Sequence, residues 1–247
     1  SLEENKWREE QVDALGRLCD RREWRGRGDI REAFGRLWGE LGDHDRAIEC
    51  YRAAQAAEDA SASLKSTEQL VNMMARRGSD LLRLDEPGAQ ARGKKLLGDA
   101  EALISGVLAI APSAERYSLQ GSIRKRKLKL ICDDWDAALK GMAEAYQAAE
   151  RFSRDSGGRI YYPALSVLHA TLLRQLLNTL TEEERKEARD RIKAVHEELD
   201  SPGFRPRDFW DRAAPLELAL TEALFNAACD GAVQADADFE LARKNYQ

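Results

Sequence analysis

The stretch GDIREAFGRLWGELGDHDRAIECYRAAQAAED, residues 28–59, spaces small and large residues as two short helices crossing at close range require. Phe34-Gly35, then Trp38, mark the inward face of a first helix, and Ala47, Tyr51 and Ala54 that of a second. Residues three and four apart share a helix face. Gly35 and Ala47 are therefore the points where the backbones approach, and Trp38 and Tyr51 fill the space beside the crossing. Gly42 ends the first helix where a left-handed residue costs least, and Asp43 follows it as a side-chain cap for the second. A helix pair of this size cannot bury its own apolar faces, so it requires neighbours of the same kind.

This unit resembles the tetratricopeptide repeat, which places a large-small pair, an aromatic, a turn glycine and an Ala-aromatic-Ala series at these offsets. Asp59 stands where that family usually carries proline. The resemblance implies an all-α fold, a right-handed α-solenoid of about five helix pairs with an N-terminal capping helix over residues 3–24. One such domain over residues 1–247 is expected, with repeats at about 28–61, 62–112, 113–155, 158–200 and 206–247. The later repeats diverge. LKSTEQLVNMMARRGSDLL (64–82) reads as a helix with Leu70, Met74 and Leu81 inward, 85–93 as a loop, and the next helix as running to Pro112 with Ala100, Ile104 and Val107 inward. The third pair carries Gly121 as its close-contact position and Ala138, Met142 and Ala145 opposite it. Thr181 with Glu184 forms a capping box for the second helix of the fourth pair. Pro215 lies near the start of the fifth, and residues 235–247 begin a last helix.

Composition agrees. Ala, Leu, Arg and Glu dominate, aromatics are 7%, and 34% of residues are charged, as amphipathic helices with wet outer faces require. No run of 18 apolar residues occurs, so no membrane span is expected. The opening SLEENKWREEQ has neither an initiating Met nor an apolar core, and is read as the cut edge of a larger protein. Cys19, Cys50, Cys132 and Cys229 form no CxxC pair, so free thiols in a reducing cytoplasm are expected.

No catalytic or metal constellation emerges, so neither an enzyme nor a cofactor protein is expected. His44, His169 and His196 are the only histidines, and HEELD at 196–200 is not a zinc motif because its fifth residue is Asp200. Paired carboxylates such as Asp133-Asp134 and Glu182-Glu183-Glu184 fall at helix starts, where they suit the positive end of the dipole. Gly26 and Gly28 in WRGRGDI read as an interhelical turn, with an anion cradle as the alternative. The sharpest local feature is Arg124-Lys125-Arg126-Lys127 with Lys129, in a stretch without acids from Glu115 to Asp133. Such a run points all round a helix, giving either an anion site or a solvated face. First-helix positions line the concave groove of tetratricopeptide folds. The binding residues so implied are Arg36, Lys65, Asn72, Arg76, Ser122, Arg124, Lys125 and Arg126. Asp29, Glu32, Glu40 and Ser118 share those register positions.

Residues 109–230 also resemble the helical TRAF-binding region of apoptosis-signal-regulating MAP kinase kinase kinases, and of related bacterial proteins that carry it beside effector modules. YYPALSVLHATLL and FWDRAAPLELALTEAL carry this likeness, through an aromatic pair opening one Ala/Leu-rich helix and Phe209-Trp210 opening another. The function implied is a non-catalytic interaction or regulatory scaffold within a larger signalling or defence protein. Its partner is a protein, a peptide or another domain of the same chain. The alternative is a sensor that binds a small anion or nucleotide in the groove and controls an attached effector. The net charge of −5 argues against nucleic acid.

Overall fold

The computed structural model describes residues 26–131 and 133–229, with scattered positions between 10 and 24. Nine complete helices lie among the described residues. They are α1 (Gly28–Leu41), α2 (His44–Gln55), α3 (Leu64–Leu82), α4 (Ala89–Ile110), α5 (Ala114–Ile131), α6 (Trp135–Asp155), α7 (Tyr161–Leu176), α8 (Glu182–Leu199) and α9 (Phe209–Cys229). Positions 10–12, 14 and 16–17 are helical, within the expected cap; the rest of that cap and the expected last helix at 235–247 lie outside the described residues. No described helix is long and apolar enough to cross a membrane.

Packing divides the chain into two compact units, residues 1–106 and 107–247, with the boundary inside α4. In the first unit α1 packs on α2, α2 on α3, and α1 also reaches α3. In the second, α5 packs on α6, α6 on α7, α7 on α8, α8 on α9, and α7 also packs on α9. Neighbour-on-neighbour packing, with first helices also meeting the first helix of the next pair, is the arrangement of a tetratricopeptide-like α-solenoid.

The crossings follow from residue size. A Cβ placed on Gly35 would sit 2.9 Å from the ring of Tyr51, and one on Gly121 would sit 2.7 Å from the ring of Tyr146. Each first helix thus lies flat against a buried tyrosine of its second helix. Gly42 adopts φ 83°, and Asp43 accepts from the Arg46 amide to cap α2. Trp38 is buried, with the Arg46 guanidinium 4.3 Å over its ring.

One expectation is corrected. Residues 85–93 are not all loop, because α4 begins at Ala89. Gly93 is a packing residue rather than a turn residue: a Cβ there would meet the Gly78 carbonyl and Leu82 at 2.7 Å, and one on Gly78 would meet Leu97 at 2.9 Å. The α3–α4 crossing is built on two glycines, of which the sequence reads Gly93 as part of a loop and Gly78 as an ordinary helical position.

Asp59, at the place of the family's proline, closes the first pair differently. Its carboxylate accepts from the Gly28 amide at 3.1 Å and from the Ser61 amide and hydroxyl. The turn at Gly28 does cradle an anion, and that anion is the protein's own. Glu32 likewise accepts from the amide and hydroxyl of Ser63, and Asp29 from Arg27. Glu32 thereby binds α1 to the α2–α3 connection, and the Asp29 amide adds to that tie by donating to the Ser61 hydroxyl at 2.8 Å.

In the second unit, Asp134 caps α6 through the Ala137 amide. Thr181 and Glu184 form the complete capping box of α8. Ile160 cannot cap α7 by itself, and Glu198 from the end of α8 supplies both carboxylate oxygens to the Ile160 amide at 3.1 Å. Tyr161, Ala164, Leu165, Leu168, Ala188, Ile192, Val195, Ala214, Leu218 and Phe225 form the core between α7, α8 and α9.

Candidate functional site

Arg36, Lys65, Asn72 and Arg76 lie in the first unit. Arg36 and Arg76 are exposed, Asn72 is half-buried, and Lys65 pairs with the buried Glu68 at 2.8 Å, one helical turn away. Only the lysine end of that pair is exposed. At the α1–α2 turn, His44 meets Asp80 at 3.0 Å and Arg77 meets Asp45 at 2.7 Å, around a shallow depression reaching Leu41.

Ser122, Arg124, Lys125 and Arg126 lie on α5 in the second unit, and successive side chains diverge as the helical rise demands. Arg124 turns to α6, where Nη1 donates to the Gly141 carbonyl at 2.6 Å. Its guanidinium thereby joins the two helices of the third pair. Arg126 folds back on its own helix and donates to the hydroxyl of Ser122, and to its carbonyl at 3.2 Å. Lys125 turns the other way. It is half-buried, and burial pushes its ammonium below the usual lysine range, with Glu217 opposing the shift and Arg126 adding to it.

Three first helices converge at this point. His169 of α7 faces Lys125 and lies 3.4 Å, through Nε2, from the carboxylate of Glu217 on α9. Burial, with the Lys125 charge assisting, pushes the imidazole down to about 4, so His169 is neutral at pH 7. Its Nδ1 is buried without a hydrogen-bond partner. One and two turns earlier on α7 stand Ser166 and Tyr162. Both hydrogen-bond the Tyr146 hydroxyl, and the rings of Tyr146 and Tyr162 meet edge to face at 6.2 Å. Tyr162 is half exposed. Lys125, Arg126 and Ser122 thus share one locality with Tyr162, Ser166, His169 and Glu217.

The sequence reading did not include those last four. Their signal was the helical offset from Tyr162 through Ser166 to His169, which sets polar groups along one face of an otherwise Ala/Leu helix. It was masked because His169 alone on an apolar face reads as core.

The arrangement can do little chemistry of its own. It lacks a nucleophile–base pair, and no group of three His, Cys, Asp or Glu side chains that could hold a metal occurs among the described residues. Cys50 and Cys229 are not in disulfides, while Cys19 and Cys132 lie outside the described residues. The arrangement places the half-buried Lys125 ammonium within the influence of Glu217 and Arg126, with the half-exposed Tyr162 in the same locality.

A second cluster explains the two motifs of the 161–176 and 209–229 helices. Asp211, 1% exposed, accepts from the Tyr161 hydroxyl, from Arg159, and from the amide and guanidinium of Arg207. Donation by Tyr161 is the largest influence holding its carboxyl well below the usual range. Tyr161 and Asp211 are the two ends of one structural tie.

No curated protein and no solved structure matches the chain significantly. One family model does, that of TPR-S, Tetratricopeptide Repeats-Sensor, over residues 43–173. The matched region runs from the cap of α2 into α7 and spans slightly more than half the sequence. The glycine–tyrosine crossing at Gly121 and Tyr146, the basic run of α5 and the Tyr162–His169 face all fall within it. With its paired helices and these crossings, the chain belongs to the Tetratricopeptide Repeats-Sensor family.

Proposed function

We propose that this chain is a non-catalytic recognition module that takes an acidic group of a protein partner, or of another domain of its own chain, at the meeting of α5, α7 and α9. The observation that carries this reading is Lys125. Its ammonium is held half-buried, where burial penalises its charge, beside a neutral His169. Glu217 already opposes that shift, and an incoming carboxylate or phosphate would add to the negative charge that favours the ammonium. Arg126 and the half-exposed Tyr162 supply a second cation and an aromatic edge for the rest of the ligand. Arg36, Lys65, Asn72 and Arg76 are proposed as a separate set of binding residues on the first unit.

The family's sensor description favours a second reading on the same residues, in which the acidic group belongs to a small anion or nucleotide and the module controls an attached effector. The likeness of residues 109–230 to the regulatory region of the signalling kinases suits either reading. Titration calorimetry separates them. Acidic peptides that bind, with a loss of tenfold or more on Lys125→Met, support the partner reading. Anionic metabolites that bind with the same dependence support the sensor. Undiminished binding of both by Lys125→Met would sink the site.

A further inference from the structure

Helix α9 has two apolar faces where its place in the fold accounts for one. Asp211, Ala214, Leu218, Thr221 and Phe225 are buried against α7 and α8. On the opposite side Leu216 is 76% exposed, Leu220 59%, Leu224 44%, Phe209 70% and Trp210 69%. The exposed side reads as a heptad. Ala213, Leu220 and Ala227 occupy one repeating position, and Phe209, Leu216 and Ala223 the other, alternating by four and three residues. Trp210 and Leu224 flank this seam on one side, with Glu217 between them, and Arg212, Ala219 and Asn226 flank it on the other. Solvated helices do not carry such a face.

We infer that this seam is a homodimer interface, in which α9 of one copy packs antiparallel on α9 of a second. Two properties select a second copy as the occupant. The first is self-complementarity in the antiparallel register. Phe209 then meets Ala227 of the other copy, Ala213 meets Ala223, and Leu216 meets Leu220, so the phenylalanines face small residues at the ends, alanine faces alanine next, and leucines meet at the centre. Trp210 falls beside Leu224 of the other copy. Ala219 lies at the two-fold axis, where only a small side chain lets the helices close. Glu217, the one acid at the axis, is drawn aside to His169, 3.4 Å away. The second is size. The five exposed side chains offer on the order of 700 Å² per copy, near the ~800 Å² per partner typical of stable associations. An isologous contact of this kind closes on itself and leaves no seam open for further growth.

Light scattering behind size exclusion, on the full 247-residue chain over a wide concentration range, tests this. The expected result is a dimer of twice the 27.8 kDa chain mass. Leu220→Asp weakens it by roughly a hundredfold, with helix content unchanged because Leu220 is outside the core. As a second arm, Ala219→Cys under mild oxidation forms a disulfide between copies that the unaltered chain does not form, which decides the matter even if Leu220→Asp misfolds. A monomer at every concentration, or a dimer indifferent to Leu220→Asp and without the 219–219 crosslink, overturns the inference. Should a monomer lose thermal stability on Leu220→Asp, the seam belongs to a segment of the same chain, which also overturns it.

Discussion

Replacing Gly121 with alanine tests the close crossing on which the helix pairs are built. In a free helix the change is favourable, by about 0.8–1 kcal/mol, because alanine loses less backbone entropy than glycine. Here the new methyl would lie 2.7 Å from two carbons of the Tyr146 ring, nearer than real Cβ contacts come. The ring cannot swing away: it is 1% exposed, and its hydroxyl is bonded by Tyr162 and Ser166. Overpacking of this kind costs about 1–3 kcal/mol, so the net result is a loss of up to about 2 kcal/mol. Gly141 supplies the control within the same unit. It is also helical, but a Cβ there meets only the Arg124 guanidinium at 3.8 Å, an ordinary contact. Gly141→Ala is expected to stabilise by about 0.5–1 kcal/mol. Thermal unfolding followed by circular dichroism should place the two variants roughly 1–12 °C apart, with Gly121→Ala the lower. If Gly121→Ala melts at or above Gly141→Ala, the helices do not meet at that glycine and the account of the pair fails.

Three further outcomes follow from the second unit. His169 is depressed from about 6.5 in the unfolded chain to about 4 in the fold, so the unfolded state binds the extra proton first. Stability should therefore fall as pH drops from ~6.5 towards 4, by up to about 3 kcal/mol, and urea midpoints for His169→Gln should lose that slope. Asp211 is shifted in the same direction: its contribution is complete above the unfolded value of ~4 and is lost as pH falls through its lower folded value. Asp211→Asn should accordingly melt lower at pH 7 and show a shallower acid limb; an unchanged limb would remove the carboxylate from the tie. Thr181→Ala, which deletes one half of the α8 capping box, should cost about 1 kcal/mol in the same urea titration.

Much of the helical plan was legible in the residues themselves, because it rests on local chemistry. Helix period, the Gly42 turn, the Asp43 cap and the Thr181–Glu184 box are settled within a few residues of chain, and α3 spans the stretch read for it, Leu64–Leu82. The repeat at 28–59 revealed the architecture because its small residues mark where backbones must touch. Gly93 was misread for the opposite reason: glycine signals a turn and a close crossing alike, and only the position of Gly78 across from it tells which.

The candidate site was half legible. Composition picked out the basic run of α5, but a helix turns each successive side chain by about 100°, so sequence alone could not say which cation serves which surface. Tertiary packing sends Arg124 to the Gly141 carbonyl and Lys125 towards His169 and Glu217, residues far along the chain that reach it only because α7 packs on α9. Burial does the rest, since desolvation of Lys125 and His169 depends on what covers them and not on what they are. The same packing decides that one apolar face of α9 is core and leaves the other, equally apolar in sequence, exposed among the described residues.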